Sequence, residues 1–178
     1  MKINLRQYQE EGVNNIRLSY MQGNRAVLYV LPTGGGKTVI FSHISEQAAI
    51  KGNRVCILVH RAELVDQSSE SLRKIGVDHG VITAGKELDL SKTVQVASVF
   101  TLVRRLHLIP PDFFGLIVVD EAHHAVAGSW KKTIDHFQKA KVLGVTATPE
   151  RLDGKGLGNY FQDMIIGKDT AWLTANNY

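Results

Sequence analysis

One stretch limits what this chain can fold into: Leu31-Pro32-Thr33-Gly34-Gly35-Gly36-Lys37-Thr38. An apolar run, Ala26 to Leu31, leads into it, and Val39-Ile40-Phe41 follows. That order predicts a buried strand, a tight loop and a helix start. Consecutive glycines let the backbone adopt conformations that a Cβ forbids, so successive amide N–H groups can converge on one anion. A helix beginning near Lys37 points the positive end of its dipole at the same anion. Lys37 is then placed to reach the β- and γ-phosphates of a nucleotide, and the Thr38 hydroxyl to ligate Mg2+. The bland alternative is a glycine-rich turn beside a surface lysine. Strand, glycines, Lys-Thr and helix in register argue against it.

The remaining chain alternates in the same way. Leu5 to Met21 reads as a helix, with Val13, Ile16 and Tyr20 recurring at spacings of three and four. Arg54 to Val59 is apolar almost throughout, as in a strand buried on both faces of a parallel sheet. A helix follows from about Ala62 to Ile75, with Leu64, Val65, Ser68, Leu72 and Ile75 on one side and Gly76 as its C′ residue. Short β runs are expected at Asp78 to Ala84 and Thr93 to Ser98, and a short helix over Val99 to Leu106. Leu116 to Val119 is the most apolar β run. Ser129 is a candidate cap for a helix in which Trp130, Ile134 and Phe137 share a face, and Val142 to Thr146 reads as the last strand. Beyond Glu150, Gly154, Gly156 and Gly158 suggest a loop and Trp172-Leu173 a short helix. Strands alternating with helices predict an α/β fold: a mainly parallel central sheet with helices on both faces.

Asp120 and Glu121 close the run Leu116 to Val119. Ligands bind at the carboxyl edge of open α/β sheets, and the glycine-rich loop also follows a strand, so both motifs are expected at one crevice. A carboxylate there can hold Mg2+, and a second can orient or deprotonate an attacking water. Asp120 is assigned the metal and Glu121 the base. The alternative is an acid pair that caps the next helix.

Composition narrows the class. A chain of 178 residues fits one domain with a sizeable core. No apolar run approaches the roughly 18 residues of a membrane span, and the first residues lack the apolar core of a signal peptide. The single cysteine, Cys56, lies inside an apolar run and reads as a core residue in a reducing, cytoplasmic setting. A net charge of +4 is compatible with a nucleic-acid partner without requiring one.

Seven motifs in order resemble superfamily 2 helicases. Leu31 to Thr38 looks like motif I in its Pro-Thr-Gly-x-Gly-Lys-Thr form, with Leu31 where the general phosphate loop has its first glycine. Asp120-Glu121-Ala122-His123 resembles the DEAH box, and Gly144 to Pro149 motif III. Leu58 to Gln67 is similar to motif Ia, and Thr83-Ala84-Gly85 takes the place of motif Ib. Ser98 to Leu102 resembles a Thr-x-x-Thr-Leu element, departing from it at Ser98. Leu5-Arg6-Gln7-Tyr8-Gln9 resembles the entry of the DExH branch, which usually has Pro at the place of Gln7. The sequence after Asp120 is similar to bacterial and phage DNA helicases of the RadD type and to restriction-enzyme motor subunits.

The resemblance implies a RecA-like P-loop NTPase domain over 1–178 that uses ATP and Mg2+. It implies a nucleotide site of Arg6, Gln9, Pro32, Thr33, Gly34, Gly35, Gly36, Lys37 and Thr38, with Mg2+ on Thr38 and Asp120 and catalysis by Glu121, Lys37 and Asp120. Arg6 and Gln9 would read adenine, the glutamine amide matching its donor–acceptor edge. His123 would couple the acids to Thr146 or Thr148. Arg61, Gly85 and Thr101 would follow a nucleic-acid backbone, DNA in preference to RNA. His124 has no Cys or His at zinc spacing beside it and is not expected to bind metal. Phe100 reads as a core aromatic in preference to a platform for stacked bases, and Tyr8 and Trp130 read as packing residues.

Nothing in the chain resembles motifs IV to VI, so a second RecA-like domain is expected in a longer protein. The function implied is the ATP-binding half of a DNA helicase or translocase, nearly inactive alone. The alternatives are an RNA helicase motor domain, or a nucleotide- and nucleic-acid-binding module without turnover of its own.

Overall fold

A computed structural model describes residues 4–122, 128–148 and 161–178. The phosphate-loop region folds as its pattern predicts: β1 (Ala26–Val30), a loop, then α2 (Lys37–Ile50). α1 (Gln7–Met21) precedes it. β2 (Val55–Val59), α3 (Ala62–Lys74), β3 (Gly80–Ile82), β4 (Val94–Ser98) and α4 (Val99–Arg105) follow. After a 3-10 turn (Leu106–Leu108), β5 (Leu116–Val119), α5 (Gly128–His136), β6 (Lys141–Thr146), β7 (Asp163–Ile166) and α6 (Thr170–Ala175) complete the described elements.

All seven strands are parallel and form one sheet in the order β3-β4-β2-β5-β6-β1-β7. Every residue of β1, β2, β4 and β5 is buried, which is why β1, β2 and β5 are apolar without alternation; β4 also buries Gln95 and Ser98. Successive side chains still leave by opposite faces. Leu28 and Val30 join one apolar layer with Val99 and Leu102 of α4 and Trp130 and Ile134 of α5. Tyr29 and Leu31 join the other with Tyr8 and Ile16 of α1, Phe41 of α2, Val65 and Leu72 of α3 and Leu173 of α6. The doubly covered sheet is the architecture expected from the alternation of elements.

Three details differ from the sequence reading. Ser129 lies inside the first turn of α5, where its carbonyl accepts from Thr133 Oγ1 at 2.9 Å, and so is not the cap. Phe100 is on the surface, 44% exposed. Val99 and Leu102, three apart, take the inward side of α4 and turn Phe100 outward. Asp163–Ile166 forms an edge strand beside β1 where no strand is predicted. It is a short edge strand of four residues, Asp-Met-Ile-Ile, none of them fully buried. Gly76 is the C′ residue of α3, as expected: Ile75 is the C-cap and Gly76 follows it with a left-handed backbone (φ 80°). The loop expected around Gly154 lies outside the described residues. No helix among the described residues is long and apolar enough to cross a membrane.

Candidate active site

Parallel strands put all their carboxyl ends at one edge, so the strand order sorts what leaves there. β5, β6 and β1 are contiguous, with Val119 opposite Gly144 and Val30 opposite Thr146. The Asp120-Glu121 pair, Thr146 and the glycine-rich loop therefore emerge side by side. β3, β4 and β2 are contiguous on the other half, with Ile82 opposite Ala97 and Val59 opposite Ser98. Gly85, Thr101 and Arg61 follow those three strands.

The loop is held in shape before any ligand arrives. Gly34 (φ 82°) and Gly36 (φ 86°) have left-handed backbones, which side chains other than glycine rarely tolerate. Gly36 is the N-cap of α2, and its carbonyl accepts from Ile40 N at 3.1 Å. Gly35 N donates to Pro32 O at 3.0 Å. The buried Tyr8 hydroxyl donates to Gly35 O at 2.8 Å. Gln9 is also buried, its Nε2 only 2.3 Å from where a Cβ on Gly36 would stand. Thr33 and Gly34 are exposed, while Pro32, Gly36, Lys37 and Thr38 are half-buried. Lys37 Nζ donates to Leu31 O at 3.2 Å, which folds its ammonium over the loop. Leu31 is fully buried, so the place of the missing first glycine belongs to the core.

Asp120 N donates to Leu58 O at 3.0 Å, which ties the start of the acidic turn to β2. Asp120 Oδ1 accepts from Glu121 N at 2.9 Å. Glu121 has φ 50°, a conformation that non-glycine residues adopt at some cost and that clusters at functional sites. Burial pushes the Asp120 carboxyl up to about 6, and the neighbouring Glu121 adds to the effect; the Glu121 amide and the Lys37 ammonium oppose it. A carboxyl pressed in this way gains from a cation, and the exposed Gly34, with open space where a Cβ would stand, leaves room for phosphates. The residues present fit a nucleotide with a divalent metal.

Thr146 is buried, and its carbonyl accepts from Leu31 N at 3.0 Å, joining β6 to the loop. Thr148 is exposed, its N–H 3.3 Å from Thr146 Oγ1. His123 lies outside the described residues. At the far end of the loop, Gln9 Oε1 accepts from Arg6 N at 2.9 Å. The exposed Arg6 places its guanidinium 4.7 Å from the centre of the Tyr178 ring. Tyr178 and Trp172 stack at 5.9 Å, and both rings meet Tyr8. Sequence reasoning reads Tyr8 and Trp130 as packing residues. Trp130 is fully buried, and Tyr8 combines packing with a hold on the phosphate loop. The adjacency of Tyr8 to Gln9 was the only available signal for that second role. Arg61 and Gly85 are exposed and Thr101 half-buried.

Residues 2–151 match the family of type III restriction enzyme Res subunits. The chain belongs to this family. The superfamily 2 resemblance read from the motifs therefore holds, as does the RecA-like fold of the first motor domain. The chain is 39% identical over 191 aligned positions to the candidate ATP-dependent helicase IRC3 of Saccharomyces cerevisiae, covering 95% of this chain and 28% of that protein. It is 33% identical over 156 positions to the DNA 3'-5' translocase XPB2 of Sulfurisphaera tokodaii, covering 86% and 33%. Among solved structures, the Hef helicase domain of Pyrococcus furiosus superposes with a TM-score of 0.75 at 28% identity, covering 91% of this chain and 37% of that one. This Res-family chain thus spans about a third of the length of each of these proteins.

Proposed function

We propose that this domain binds ATP with Mg2+ at the β1, β5 and β6 edge and, within a longer motor protein, couples ATP hydrolysis to movement along DNA. One observation carries the reading: β1, β6 and β5 are contiguous in a parallel sheet, so the glycine-rich loop and the Asp120-Glu121 pair leave the same carboxyl edge. In this reading the Gly34 to Thr38 backbone and Lys37 bind the phosphates. Thr38 and Asp120 hold the metal, which would neutralise phosphate charge. Glu121 orients the attacking water and takes its proton. Arg6 and Gln9 face adenine. The Arg6 guanidinium is backed on one side by Tyr178 and offers its other side to the base. His123, with Thr146 or Thr148, links the acids to the rest of the edge.

Arg61, Gly85 and Thr101 then line the β2, β4 and β3 half as a backbone track. DNA is preferred over RNA because the similar XPB2 is named a DNA translocase. Domain 1–178 would be completed by a second RecA-like domain, which supplies the arginine that speeds phosphoryl transfer about 10³- to 10⁵-fold in comparable sites. The buried thiol of Cys56 suits a reducing compartment such as the cytoplasm. Multiple-turnover ATPase of the 178-residue chain, with and without single- and double-stranded DNA, tests the reading. Nucleotide binding with turnover well below about 1 s⁻¹ is expected. Turnover at or above that rate would show a site complete without a second domain.

A further inference from the structure

The nucleic-acid half of the edge carries an aromatic side chain that the backbone track does not use. Phe100 is the second residue of α4 and is 44% exposed. Val59 of β2 lies opposite Ser98 of β4, so His60-Arg61 and Val99-Phe100 leave the sheet side by side. The His60 and Phe100 rings meet at 5.3 Å between centroids with their planes 62° apart. Buried Val99 and Leu102 fix the helix that carries Phe100, and His60 braces the ring from the next strand. The ring is thus both exposed and held. Arg61, exposed, follows His60; Thr101 follows Phe100; the Gly85 loop follows β3, next to β4.

We propose that Phe100, braced by His60, is a stacking platform for an unpaired base of the strand whose phosphates Arg61, Gly85 and Thr101 follow. Every base has a π-face, so a phenyl ring can accept any of them without reading sequence. Bases inside a duplex are already stacked on their neighbours, so the platform selects single strands and frayed junctions. This inference rests on the backbone-track reading above and adds a second kind of contact to it.

The test is equilibrium binding of fluorescein-labelled dT20, an abasic oligomer of the same length and a blunt duplex to the 178-residue chain in about 50 mM salt, where phosphate contacts are strong. Phe100→Ala should weaken dT20 binding roughly 5- to 150-fold, the range lost with one base–aromatic stack. It should leave the abasic oligomer and the duplex within about twofold. Phe100→Trp should restore dT20 binding, which separates a lost π-face from a damaged fold. Arg61→Ala should weaken all three probes alike. If Phe100→Ala leaves dT20 unchanged while Arg61→Ala weakens it, the platform is refuted and the track stands. If Phe100→Ala weakens all three probes equally, the ring is structural and the platform is refuted. If the unaltered chain binds none of them, the track reading fails and takes the platform with it.

Discussion

Replacing Asp120 by Asn should make the nucleotide-free domain more stable at neutral pH. Burial and the neighbouring Glu121 push the Asp120 carboxyl from an ordinary 3.8 up to about 6. The folded state therefore holds this proton more tightly than the unfolded chain does. Its contribution to stability is fullest below about pH 4, falls as pH rises toward 6 and stays low above that. A displacement of roughly two pH units corresponds to at most about 3 kcal/mol. Asp120 keeps some contact with solvent, which screens part of this, so about 1–2 kcal/mol is expected. In a domain of this size that raises the midpoint of melting by roughly 2–8 °C. The amide keeps an oxygen to accept from Glu121 N, so the turn is preserved. Urea unfolding of both proteins at pH 4 and pH 7.5, without nucleotide, reads the difference. The gain should be present at pH 7.5 and nearly absent at pH 4. An Asn variant no more stable than the parent at pH 7.5, or equally stabilised at both values, would refute the electrostatic account of this acid.

Other substitutions separate binding from chemistry and packing. Glu121→Gln keeps the shape of the side chain but removes the base, so binding of Mg·ATP should persist while phosphate release falls about 10²- to 10⁴-fold. Loss of nucleotide binding instead would make Glu121 structural or a metal ligand. Tyr8→Phe leaves the buried Gly35 carbonyl without its 2.8 Å donor and should cost about 1–3 kcal/mol in urea unfolding. An unchanged unfolding midpoint would show that the bond contributes nothing.

Local chemistry made much of the site legible in the sequence. Three glycines, Lys37 and Thr38 carry their geometry with them, and the structure adds only the φ angles. The run Leu116–Val119 is apolar on both faces because a central parallel strand must be, so its bounds and the acids after it can be read directly. What stayed hidden depends on distant partners. The Tyr8 hydroxyl meets Gly35, 27 residues along the chain. Arg6 meets Tyr178 near the other end of the chain. β7 is four residues long and takes its regularity from pairing with β1 alone, so its short Met164-Ile165-Ile166 run does not by itself mark a strand. An aromatic in an apolar run is usually buried, so the sequence alone places Phe100 in the core. The rotation of α4 about its axis is set by where Val99 and Leu102 find the sheet, which no local pattern states.

The proposed nucleotide site, the loop from Gly34 to Thr38, is built around Lys37. Its most direct test is titration of fluorescent N-methylanthraniloyl-ATP, with Mg2+, into the chain and into its Lys37→Ala variant. Saturable binding of one nucleotide per chain, displaced by unlabelled ATP, is expected. Lys37→Ala should weaken that binding by at least about tenfold, since a charge-assisted contact to phosphate contributes roughly 1.5–3 kcal/mol. No saturable binding by the parent chain, or equal affinity in the variant, would contradict the proposed site.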